Sequence, residues 1–141
     1  MAISTNDSKI DIEKLIKDFF KSFNSKDSNR LRELFHPKAT FANIGNNNEL
    51  FLRSLEDYLE STVEAIKKLN IKVKYELEEI MHLQIIDNII ASAEIKYIMI
   101  MPQSKGIHTG LLHLMNEKKN WLFLNWTDRG IEEKQKIIGN N

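Results

Sequence analysis

Cysteine is missing from all 141 residues. Its absence excludes a disulfide framework, a thiolate nucleophile and a thiolate zinc site, and it suits a reducing compartment. Net charge is missing as well: Lys plus Arg and Asp plus Glu number 20 each. No long-range field therefore steers the chain toward nucleic acid, an acidic membrane surface or a strongly charged substrate. Basic residues also fail to gather into a stripe with interleaved aromatics, which argues against nucleic-acid binding. No apolar run approaches membrane-spanning length, and Met1 to Ser8 lacks the basic start and apolar stretch of a signal peptide. The expected location is the cytoplasm, with no membrane partner. There is no Gly-rich phosphate loop, since Gly45 stands alone among asparagines. His36, His82, His108 and His113 fall on different elements without short metal-binding spacing, so neither a metal nor a cofactor is expected.

What is present is enough apolar material, 42% of residues, for one full core. With no internal repeat and no Gly-, Ser- or Pro-rich linker, residues 1–141 read as a single domain, with a core at about 9–130 and a tail at 131–141. Asp7 or Ser8 is a candidate N-cap for a first helix, in which Ile12, Leu15, Ile16, Phe19, Phe20 and Phe23 repeat at helical spacing. Asp27 can cap a short second helix with Leu31, Leu34 and Phe35 inward, ended by His36-Pro37. Ala39 to Ile44 and Glu49 to Leu52 read as a hairpin about Gly45-Asn46-Asn47-Asn48. Ser54 with Asp57 opens a third helix carrying Leu55, Tyr58, Leu59, Thr62, Val63 and Ile66 on one side, which stops near Asn70.

From Ile71 the period becomes two, with Ile71, Val73, Tyr75 and Leu77 on one face against lysines and glutamates on the other. The alternation slips at Glu78-Glu79-Ile80, the mark of a β-bulge, and Asp87-Asn88 turns the chain into a strand from Ile89 to Met101. A turn over Pro102 to Gly106, a strand Ile107 to Met115, a turn Asn116 to Asn120 and a strand Trp121 to Asp128 complete a four-stranded antiparallel meander. The last two strands look apolar on both sides, Leu111 and Met115 against Leu112 and Leu114, then Leu122, Leu124 and Trp126 against Trp121 and Phe123. An antiparallel sheet of one molecule hides one face, so a homodimer through the outer face of the sheet is expected. The alternative cover is the tail, folding back with Ile131, Ile137 and Ile138.

The order helix, helix, hairpin, helix, bent meander resembles the nuclear-transport-factor-2-like superfamily, a cone-shaped α+β fold with three N-terminal helices on a bent antiparallel sheet. Locally the likeness rests on Phe23-Asn24-Ser25-Lys26-Asp27, on Leu34-Phe35-His36-Pro37-Lys38-Ala39-Thr40-Phe41, and on Asn120-Trp121. In detail the chain is similar to the lumazine-binding and ketosteroid-isomerase-like branch, whose members are largely uncharacterised. That superfamily hosts isomerases, dehydratases, cyclases and plain binding domains, so fold alone does not choose among them. Ketosteroid-isomerase chemistry needs a carboxylate base and an oxyanion site made by a tyrosine and a neutral aspartic acid. The resemblance puts Phe19 at the tyrosine position, Asn43 at the base position and a residue near Leu111 at the acid position, which argues against that chemistry.

Alternation and the resemblance together direct Phe19, Asn43, Tyr58, Tyr97, Trp126, His113 and Asp128 toward a cavity under the first helix. Phe19, Asn43, Tyr58, Tyr97 and Trp126 are the candidate ligand-binding residues, on the pattern of an apolar pocket with a few polar groups. His113, oriented by Asp128, is the candidate catalytic pair, against the plainer reading of a core histidine. His108 has the opposite parity, so an inverted face assignment exchanges the two histidines. The expected function is a homodimeric small-molecule-binding domain. The alternatives are an enzyme of the dehydratase, isomerase or cyclase kind, or a dimerisation module without a ligand.

Overall fold

In the computed structural model residues 5–134 are described as backbone and residues 7–130 with their side-chain surroundings. The first helix, α1 (Thr5–Asn24), presents Ile12, Leu15, Ile16, Phe19, Phe20 and Phe23 as one buried stripe. It begins upstream of the expected caps. Ser8 lies one turn before Ile12 and shares its buried face, while Asp7 sits in the first turn. Helix α2 (Ser28–Leu34) is capped as expected, the Asp27 carboxylate accepting from the Arg30 amide at 3.0 Å.

Phe35 is not a turn of α2 but its extended C-cap, and it opens strand β1 (Phe35–Ile44), which pairs with β2 (Leu50–Ser54) across a turn where Asn48 takes a positive φ of 59°. The hydroxyl of Ser54 caps α3 by accepting from the Asp57 amide at 3.1 Å. Helix α3 is α-helical over Leu55–Tyr58, widens into a π-helical turn over Leu59–Glu64 and returns to α over Ala65–Lys68. Asn70, in the left-handed region, ends it.

Strands β3 (Lys74–Ile86), β4 (Ile90–Met101), β5 (Ser104–Glu117) and β6 (Asn120–Lys134) form the expected antiparallel meander. The order across the sheet is β2-β1-β6-β5-β4-β3, and β1 joins β6 in parallel, so the six-stranded sheet is mixed at that single seam. The slip at Glu78 is a register shift between Leu77 and Glu79, and a second shift follows around His82, whose φ is 50°. Asp87 and Asn88 both take positive φ in the next turn, as do Lys118 and Lys119 in the last. The cone is α+β, with α1 across the concave face.

Two details change which side chains face inward. The β4–β5 turn contains only Pro102 and Gln103, because Met101 pairs with Ser104. Tyr97 then stands opposite His108, where the longer expected turn sets it opposite an odd-numbered residue; a one-residue change of register inverts every face of a strand. On β6 a register shift beside Leu124 turns Trp121, Phe123 and Trp126 all into the core, where sequence alternation divides them between faces. The backbone at 131–134 belongs to β6, while Ile137 and Ile138 of the tail lie outside the described residues. Among the described residues no helix is long and apolar enough to cross a membrane.

Candidate functional site

The concave face carries its side chains in rows that cross several strands. One row runs Arg53, Phe41, Trp126, Leu112, Ala93; the next runs Phe51, Asn43, Asp128, Gly110, Ile95; a third sets Gly130, His108 and Tyr97 side by side. Helix α1 lays Phe19 against Trp126 at 4.1 Å between ring centroids, which roofs this surface. Phe41 stacks on Tyr58 of α3 at 3.9 Å and 6°, and Phe23 stacks on Tyr75 at 3.8 Å and 2°. The Asn24 side chain accepts from the Tyr75 amide and donates to its carbonyl, at 2.8 and 2.9 Å, and so ties the end of α1 to β3.

Between these walls is a cavity of about 130 Å³. Phe19, Asn43, Tyr58, Tyr97, Trp126 and Asp128 all line it, so six of the seven residues singled out from sequence are brought together. His113 is not among them. It is exposed on the outer face, beside Ser92 and Leu124. The two-residue turn at Pro102-Gln103 inverts β5 relative to the expected parity, and His108 takes the inward place. The pairing of His113 with Asp128 is thereby corrected: the sheet lies between them. By the same inversion, Gly110 and Leu112 face the core and Leu111 faces out.

Asp128 is the polar centre of the floor. Its carboxylate accepts from the Tyr97 hydroxyl at 2.5 Å, from the Trp126 indole N–H at 3.1 Å and from the Asn43 side-chain amide. A carboxylate has about four acceptor sites, so about one is left for something else. Burial pushes the Tyr97 phenol well above its ordinary range, and the neighbouring Asp128 charge adds to this. Tyr97 is held as a neutral donor.

The imidazole of His108 stacks on Tyr97 at 4.8 Å and 17°. A glycine makes room for it: a Cβ on Gly130 would lie 2.6 Å from Nδ1 of His108. Burial lowers the imidazole pKa below the ordinary 6.5, and Asp128 opposes that shift from nearby. The buried Nδ1 has no hydrogen-bond partner. At neutral pH His108 is therefore a neutral ring able to accept a proton. At the mouth, Nη1 of Arg53 donates to the Thr62 hydroxyl at 2.9 Å, with Thr62 on the π-helical turn.

Tyr75, Arg53 and Thr62 were not predicted for the site, and His108 was placed there only for the case of inverted faces. For His108 a signal existed in Gly106, two residues before it on the same face, where a Cβ would lie 3.2 Å from Nε2 of the ring. Among the described residues no group of three or more acidic, His or Cys side chains is placed to hold a metal ion.

Comparisons with known proteins agree with this fold. An uncharacterized protein with a cystatin-like fold from Caulobacter vibrioides superposes with a TM-score of 0.69 at 20% identity, over 89% of this chain and 90% of that one. A nuclear-transport-factor-2-like protein of unknown function from Shewanella baltica gives 0.65 at 15% identity, over 92% and 98%. A hexachlorocyclohexane dehydrochlorinase from Novosphingobium barchaimii gives 0.73 at 11% identity, over 94% and 91%. At such identities these likenesses show the fold alone, that of the nuclear-transport-factor-2-like superfamily. A search of curated proteins found no match. Residues 7–127 match the model of the family described as "Putative lumazine-binding", and with that span the chain belongs to this family.

Proposed function

We propose that the chain is a small-molecule-binding domain that holds one flat ring between α1 and the concave sheet. The observation carrying this reading is the floor of the cavity, where a carboxylate fixed by three side-chain donors stands among aromatic walls. An apolar pocket with a few oriented polar groups is the usual means of holding a small ligand. A void of about 150 Å³ elsewhere accommodates benzene, so the 130 Å³ here is on the scale of a single ring. The family description names lumazine, a two-ring heterocycle. Such a ligand would leave its second ring at the mouth.

The test is thermal unfolding with a panel of single-ring aromatics. A ligand at about a hundred times its Kd stabilises the fold by about 2.7 kcal/mol, and Thr62→Trp, which fills the mouth, removes that gain. If no compound moves the midpoint of the wild-type protein, the reading fails.

One observation favours a second reading, an enzyme of the dehydratase, isomerase or cyclase kind. It is the neutral His108 ring on the cavity wall, stacked on Tyr97. Activity would then depend on His108 and be indifferent to His113. Survival of turnover in His108→Ala would remove this reading.

The domain reading includes a homodimer through the outer face. Its support is exposed apolar surface on adjoining strands: Ile90 at 48%, Ile107 at 37% and Leu111 at 51%. Glu94 and Lys96 share that face, so a surface meeting itself about a two-fold axis can pair unlike charges. Sedimentation should give a dimer for the wild type and a monomer for Leu111→Lys. A wild-type protein that stays monomeric at high concentration rules the dimer out.

A further inference from the structure

Arg53 is the one cation among the described residues that line the cavity. Arg30 and Arg32, both exposed, hold carboxylates at 2.9 to 3.3 Å. Arg53 is half-buried, and among the described residues no carboxylate pairs with it. Its partner is the Thr62 hydroxyl at 2.9 Å, which accepts from Nη1 and keeps its own proton free to donate. A guanidinium has five N–H donors, so most of this fork remains available. Asp128 forms no ion pair with it, although both charges act on Tyr58 and Tyr75.

The cavity thus has a polar axis. At one end is an unpaired cation with a hydroxyl beside it; at the other are the nearly filled carboxylate of Asp128 and the His108 ring. Aromatic pairs, Phe41 stacked on Tyr58 and Phe19 tilted against Trp126, lie along its length. Thr62 lies on the π-helical turn, and such turns in helices are common at functional sites. A half-buried cation without a counter-charge is costly to keep, and a ligand anion supplies one.

We propose that the ligand is a small ring acid, whose carboxylate docks on Arg53 and Thr62 at the mouth while its ring lies among the stacked aromatics. A donor at the far end of the ring meets the remaining acceptor site of Asp128. This assignment rests on the reading of the cavity as a ligand site.

The experiment measures calorimetric binding of three probes: 4-hydroxybenzoate, its neutral amide 4-hydroxybenzamide, and phenol. Wild-type protein should bind the acid about tenfold or more tightly than the amide, as a charge-assisted contact requires, and added salt should narrow that preference. Arg53→Met should abolish the preference with the amide unaffected, and Arg53→Lys should keep part of it. Equal binding of acid and amide by the wild type overturns the acid assignment and leaves the pocket standing. Binding of none of the three overturns both. Because the acid and amide are compared on the wild type, the experiment decides even if Arg53→Met folds poorly.

Discussion

The Tyr97 hydroxyl donates to the Asp128 carboxylate at 2.5 Å, although the two residues sit on β4 and β6 with β5 between them. The β5 residue opposite Asp128 is Gly110, where a Cβ would lie 3.2 Å from the Ile95 side chain. One hydrogen bond thus closes the floor of the cavity over an entire strand.

Tyr97→Phe keeps the ring and its stacking on His108 but deletes the donor. Asp128 then loses one of three partners, and stability should fall by about 1–3 kcal/mol. Urea unfolding at neutral pH measures this. A variant as stable as the wild type would show that the contact contributes nothing.

Asp128→Asn should act on His108 as well as on its own partners. Asp128 raises the His108 pKa against the lowering by burial. Removing that charge should move the imidazole pKa further down, a shift read by NMR titration of the ring. An upward shift would contradict the arrangement.

His108 also sets a direction for stability against pH. Its folded pKa lies below the ordinary 6.5, so the unfolded chain takes up the proton first as pH falls. Between the two pKa values the unfolded state holds more protons, and stability drops as pH is lowered through that window, then levels once both states are charged. His108→Asn should flatten this part of the profile. Urea midpoints compared above and below the ordinary histidine pKa decide it.

Gly130→Ala should destabilise the fold by about 1–3 kcal/mol by overpacking, because its Cβ would lie 2.6 Å from His108 Nδ1. The double variant with His108→Ala should recover most of the loss, giving a strong coupling in the cycle. Additive losses would mean that the ring is free to move away.

Much of this was legible in the residues themselves. The Phe-rich stripe of α1 could face only a core, and all six of its positions are buried. The lost register at Glu78 was visible as a break in alternation, because a polar face and an apolar face were there to compare. The faces of β5 were not legible, since both sides are apolar and parity hung on the length of one turn, Pro102-Gln103. The shift beside Leu124 was hidden for the same reason: Trp121, Phe123 and Trp126 are all large and apolar. Arg53 stood in a five-residue strand too short to show a period, so although Thr62 read as inward on the third helix, nothing marked Arg53 as its partner.

The parallel seam between β1 and β6 bears on how the chain acquires its site during synthesis. Strand β6 is interior to the sheet, yet it is the last of the six strands to leave the ribosome. The β1–β2 hairpin must wait for it, unattached to the meander, while some eighty residues are made between Asn43 and Asp128. Nascent chains cut short before Asn120 would therefore carry the helices and five strands but lack the partner that joins the two halves.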